Sequence, residues 1–144
     1  MSDEERQFVD TNILVYAFDY STGSKHKIAN TLVKTLWENR LGCLSTQVLQ
    51  EFYVTVTRKI PVPLPYQEAS DIVAELGKWT LHLIAVQDIT KAIDLQNKYR
   101  ISFWDALILS SASRLGCHML LTEDLNHGQS YDGVIAINPF VNHE

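Results

Sequence analysis

Short apolar runs alternate with amphipathic helical stretches along almost the whole chain. Gln7-Phe8-Val9 reads as a short strand, and Asn12 to Phe18 has room for one or two helical turns. Ser24 to Arg40 reads as a helix with Ile28, Leu32, Val33 and Leu36 on one face, capped by Ser24 and ended by Gly42. Cys43-Leu44 begins a strand, and Thr46 to Lys59 is a helix striped by Val48, Leu49, Phe52 and Val56. Tyr66 to Leu76 is another helix. Leu81 to Val86 reads as a strand, and Asp88 can cap a helix from Ile89 to Tyr99. Ser102 can cap Phe103 to Leu115, which Gly116 ends. Cys117 to Leu121 and Val134 to Ile137 are the last strands. The prolines of Ile60-Pro-Val-Pro-Leu-Pro stop a helix but form too short a break to separate domains. With no internal repeat, residues 1–144 read as one domain with one core. Alternation of this spacing predicts an α/β fold, a parallel sheet with helices on both faces. Sites in such sheets form beyond the carboxyl ends of the strands.

Four carboxylates stand where that organisation can gather them. Asp10 closes the first apolar run, and Asp124 follows Met119-Leu-Leu-Thr-Glu. Glu51 lies within Thr46-Gln-Val-Leu-Gln-Glu-Phe-Tyr, and Asp105 opens the most apolar helix in Ser102-Phe-Trp-Asp-Ala. Like charges brought together cannot all stay ionised unless a cation holds them. Mg²⁺ is held by a few carboxylates, water and substrate phosphates. The pattern points to metal-dependent phosphodiester chemistry.

Each acid also has a plain structural reading. Asp-Thr-Asn is good turn material. Ser102-x-x-Asp105 matches a capping box. Gln47, Glu51, Thr55 and Arg58 share one helix face, as a solvated stripe does. Asp124 is ordinary loop chemistry. The joint pattern favours the site over these readings taken singly.

The net charge of −5 argues against general, charge-driven nucleic-acid binding. A nucleic-acid substrate would need a local basic patch or metal ions. Lys25-His26-Lys27 and Arg58-Lys59 are the small basic clusters. Cys43 and Cys117 form no C-x-x-C pair and read as reduced, buried residues. The charged start, Met1-Ser-Asp-Glu-Glu-Arg, has no apolar h-region, and no run approaches about 18 apolar residues. A cytoplasmic protein without a membrane span is expected.

Other chemistries fit less well. His82 and His118 lie in apolar runs, while His26, His127 and His143 are in polar or terminal contexts, and no pair has H-x₃-H spacing. A receiver-like domain needs paired acids after its first strand and a Lys after its fifth; here Asp10 stands alone and the last strand leads to Asn138-Pro139. The D-x-D-x-T pattern of aspartyl phosphatases and a G-x-G-x-x-G loop are both absent. A binding module that has the fold but no turnover remains the alternative.

Val9-Asp10-Thr11-Asn12-Ile13-Leu14, Ser45-Thr46 leading to Glu51-Phe52, Trp104-Asp105-Ala106 and Leu120-Leu121-Thr122-Glu123-Asp124-Leu125 resemble the PIN-domain family. Closer still, they resemble the VapC-type toxins of toxin–antitoxin pairs. The resemblance runs from about Phe8 to Phe140, and Asp132-Gly133-Val134 with Asn138-Pro139-Phe140 looks like the end of such a domain. It implies a three-layer α/β/α sandwich with a short central parallel sheet. It implies an endoribonuclease using Mg²⁺ or Mn²⁺ held by Asp10, Asp105, Asp124 and, directly or through water, Glu51. Thr11, Asn12 and Thr122 fall beside the acids, where they can orient carboxylates or water. Asn126 and His127 are not carried over as ligands. The resemblance further implies an RNA substrate, a homodimer, and a small antitoxin whose peptide occupies a groove near the acids. Trp37, Phe52, Tyr53 and Trp104 are candidates to line that groove, with core packing as the alternative.

Overall fold

The computed structural model describes residues 5–141. Its strands are β1 (Gln7–Val9), β2 (Gly42–Ser45), β3 (Thr80–His82), β4 (Met119–Leu121), β5 (Ser130–Tyr131) and β6 (Val134–Ile137). Its helices are α1 (Thr11–Phe18), α2 (Ser24–Asn39), α3 (Thr46–Arg58), α4 (Tyr66–Leu76), α5 (Val86–Tyr99) and α6 (Phe103–Arg114). One 3₁₀ turn, Tyr20–Thr22, joins α1 to α2.

The strands form one sheet in the order β3-β2-β1-β4-β6-β5, parallel throughout except for the antiparallel β5–β6 pair. The chain first steps outward from β1 through β2 to β3. It then crosses back to lay β4 on the other side of β1. Right-handed crossovers in opposite directions put helices on opposite faces of a sheet. Accordingly α1 packs on α2 and α3, α3 on α4, and α5 on α6 as a separate pair. The result is the expected α/β/α sandwich, and the reversal of strand order leaves a crevice between the carboxyl ends of β1 and β4. Phe8, Val9, Leu44 and Leu120 in the central strands are completely buried, as strands covered on both faces must be. Phe52 joins them in the core, so core packing, and not a groove, explains it.

Several expected boundaries move. Gly23, at φ 63°, occupies the cap position before α2, and Ser24 is its first helical residue. Arg40, in the left-handed conformation, ends α2. Gly42 lies inside β2, where a side chain would collide with the Trp79 ring. β3 stops at His82, and α5 starts three residues before the expected Ile89. Asp88 sits in its first turn and reaches back to accept from the Ala85 N–H at 2.8 Å. β4 begins at Met119, two residues after Cys117. The two-residue β5 has no apolar run to announce it. Cys43 and Cys117 are buried free thiols.

Among the described residues no helix is long and apolar enough to cross a membrane. Met1 to Glu4, which carry much of the reading of the N-terminus, and His143 lie outside the described residues.

Candidate metal centre

Asp10 is the first residue beyond β1 and caps α1, accepting from the Thr11 N–H at 2.6 Å. Its backbone N–H donates to Leu121 O, and that of Thr122 donates to Ile137 O, so the ends of β1, β4 and β6 stay in register. Thr122, fully buried, donates its hydroxyl to Oδ2 of Asp10 at 2.7 Å and accepts from the Asp124 N–H at 3.1 Å. Asp105 stands in the first turn of α6, its N–H donating to the Ser102 hydroxyl at 3.0 Å. One carboxylate oxygen each from Asp10, Asp105 and Asp124 lies within 4.8 Å of the others.

Glu51 lines the same cavity, of about 440 Å³, but stands outside that close trio. Its two oxygens accept from the Thr11 hydroxyl at 2.6 Å and the Gln47 amide at 3.2 Å. The stripe read as solvated is therefore mostly cavity wall: Gln47, Glu51 and Thr55 line it, and Arg58 does not. Gln47, a residue the sequence pattern did not single out for the site, is buried and also donates to Trp104 O at 3.3 Å.

Burial pushes the Asp10 carboxyl up to about 7, against the Thr122 bond that lowers it, with the charge of Asp124 and then Asp105 adding to the rise. Asp105 is raised by burial, then by Asp124 and Glu51; Asp124 is raised by burial, then by Glu123 and Glu51. Three acids that resist ionising together are a group that a cation stabilises. All the ligand atoms are oxygens, which suits Mg²⁺ or Mn²⁺. Asn12 Oδ1 and Gln47 Oε1 are buried acceptors without a donor among the described residues. Both residues line the cavity. The residues present fit the ion.

The PIN domain model matches residues 8–130. The chain belongs to the PIN-domain family. A comparison with curated proteins returns no match. Among solved structures, the PIN fold here is similar to that of a toxin–antitoxin complex from Klebsiella pneumoniae. The TM-score is 0.64 and the identity 20%, covering 93% of this chain and 98% of that one. VapBC2 from Rickettsia felis, bound to a DNA fragment from its promoter, gives 0.64 and 20%, covering 92% and 97%. VapC20 from Mycobacterium tuberculosis, a toxin that cleaves the sarcin–ricin loop, gives 0.58 and 17%, covering 79% and 86%.

Two lysines stand in different states. Lys25 pairs with Glu123, which also accepts from the Tyr16 hydroxyl at 2.6 Å. Glu123 is thereby held below the ordinary carboxylate range, although burial works the other way. Lys59 lines the acidic cavity. The four candidate aromatic groove residues do not share one surface. Trp104 is on the acidic cavity, and Tyr53 is on an apolar cleft with Leu49 and Val73. Trp37 packs edge-on against Trp79.

Among the described residues no histidine lines the acidic cavity. His82 is buried between the Ser111 hydroxyl, at 2.8 Å, and Asp88, at 3.0 Å. That Ser–His–Asp arrangement is closed to a substrate, because Ser111 is completely buried. It ties the end of β3 to α5 and α6.

Proposed function

We propose that this PIN domain is a metal-dependent endoribonuclease, the toxin of a toxin–antitoxin pair. The observation that carries the reading is the close trio of Asp10, Asp105 and Asp124, with Asp10 reluctant to ionise without a cation. The fold shared with toxin–antitoxin complexes, and with a toxin that cleaves the sarcin–ricin loop, supports it.

Asp10, Asp105 and Asp124 would hold Mg²⁺ or Mn²⁺. When bound, the ion supplies Lewis acidity at the phosphate and makes hydroxide accessible near neutral pH. Thr122 fixes the Asp10 carboxylate through the hydroxyl bond at its Oδ2. Thr11 and Gln47 hold Glu51 beside the trio, where its charge would strengthen the pull on a cation. No side-chain nucleophile is required, so in-line attack by water leaves a 5′-phosphate and a 3′-hydroxyl. The whole chain, residues 1–144, acts as one domain in the cytoplasm. It works as a homodimer restrained by a small antitoxin, with an antitoxin Arg or Lys entering the acidic cavity.

Analysis of the ends of cleaved RNA tests the chemistry. Fragments with 5′-phosphates are expected. Fragments ending in a 2′,3′-cyclic phosphate would show attack by the RNA's own hydroxyl and overturn it. Metal binding without cleavage of any RNA would favour a binding module.

A further inference from the structure

Trp104 is the residue before Asp105 and lines the acidic cavity, yet 60% of it is exposed. Phe103 packs edge-on against the indole, centroids 5.1 Å apart, and the Trp104 backbone carbonyl accepts from Gln47 on α3. A large aromatic surface is thus open to solvent on the turn that also carries a carboxylate of the trio.

Among the described residues, Lys59 is the only cation lining that cavity. It caps the C-terminal end of α3, where a positive charge also suits the helix dipole. No carboxylate among the described residues lies within ion-pair distance of it. Lys25, by contrast, is committed to Glu123.

A chain of net charge −5 gains little from general attraction to RNA, so affinity must come from local contacts. Single-stranded RNA is gripped by aromatic rings that stack on its bases and by cations that follow its backbone. We propose that Trp104 and Lys59 form a nucleotide subsite beside the acids, in which Trp104 stacks on an unpaired base next to the scissile phosphate and Lys59 pairs with a neighbouring phosphate. This rests on the ribonuclease reading. The cavity of about 440 Å³ is of small-molecule size and suits one nucleotide of a single strand. Stacking tolerates any base, so the subsite demands an unpaired nucleotide more than a particular one. A protein partner on Trp104 is the competing occupant. A lone lysine beside a phosphate-handling cavity favours RNA.

The test measures binding of a fluorescein-labelled, mixed-sequence, single-stranded RNA octamer to the full-length protein, with Ca²⁺ in place of Mg²⁺. Wild type is compared with W104A, W104F and K59Q, and cleavage in Mg²⁺ is run alongside. W104A should weaken binding by about five- to a hundredfold, with W104F retaining most of the affinity. K59Q should lower the salt dependence of log K by about 0.7. Ca²⁺ affinity should not change in any variant. A wild type that cuts and binds RNA while all three variants match it overturns the subsite and leaves the ribonuclease reading standing. Full RNA affinity in W104A, with loss of association between protein chains, assigns Trp104 to a protein interface and equally overturns it. A wild type that neither binds nor cuts RNA overturns both readings.

Discussion

The Thr122 hydroxyl donates to Oδ2 of Asp10 across 2.7 Å, joining the exits of two adjacent parallel strands that lie 112 residues apart in sequence. Thr122 has no exposed surface, so the bond is shielded from water. Thr122→Val keeps the shape and removes the donor. It should weaken Mn²⁺ binding by about 10–100-fold through misorientation of Asp10. It should also cost about 1–3 kcal/mol of stability. Calorimetric Mn²⁺ titration and urea denaturation check the two effects, and unchanged Mn²⁺ affinity would show that Thr122 does not position the carboxylate.

Burial pushes the Asp10 carboxyl up to about 7, from the ordinary aspartate value of 3.8. A proton on Asp10 therefore favours the folded state. The stability it contributes is complete below pH 3.8 and is lost as pH rises to about 7. The amount is on the order of a few kcal/mol. Without metal, Tm should fall across this window in wild type, and the fall should shrink in Asp10→Asn. Because the ion must displace the same proton, Mn²⁺ affinity should rise with pH up to about 7. Thermal denaturation in EDTA checks this, and equal pH profiles for the two proteins would count against a strained Asp10.

Glu51 is held by Thr11 and Gln47 outside the trio, so its loss should be milder than loss of a trio member. Glu51→Gln should weaken Mn²⁺ binding about tenfold, while Asp105→Asn should remove measurable binding. Equal losses in parallel titrations would make Glu51 a direct ligand on the same footing as Asp105.

His82 bridges Ser111 and Asp88 away from the cavity. His82→Phe leaves two buried polar partners short of a bond and should cost about 1–3 kcal/mol. Cleavage per folded molecule should stay at the wild-type level. Urea denaturation beside an RNA cleavage assay separates the two, and lost turnover in a fully folded variant would give this network a catalytic role.

The alternation of apolar runs with helical stripes made the layered fold legible, because strands buried on both faces read as unbroken apolar sequence. The candidate acids stood out by their places, Asp10 and Asp124 at strand ends, Asp105 at a helix start and Glu51 on a helix that begins near the same edge. Less legible was the division of labour among them. Whether Gln47 and Glu51 face solvent or a cavity is decided by α6 and the Asp10–Thr11 turn, which lie far away in sequence. Asp88 misled for a similar reason. An acid can serve a helix start from its first turn as well as from the cap, and the spacing alone does not say which. Phe52 and Trp104 are both aromatics beside a site acid, yet one is core and the other rim, a difference that only packing creates.

The most direct measurement is cleavage of a mixed RNA pool by the purified protein, free of partners, in Mg²⁺, Mn²⁺ or EDTA, beside Asp10→Asn and Asp105→Asn. Metal-dependent cleavage that both substitutions abolish is the predicted result. Cleavage that persists in EDTA, or survives both substitutions, would contradict a metal-dependent site built on Asp10, Asp105 and Asp124.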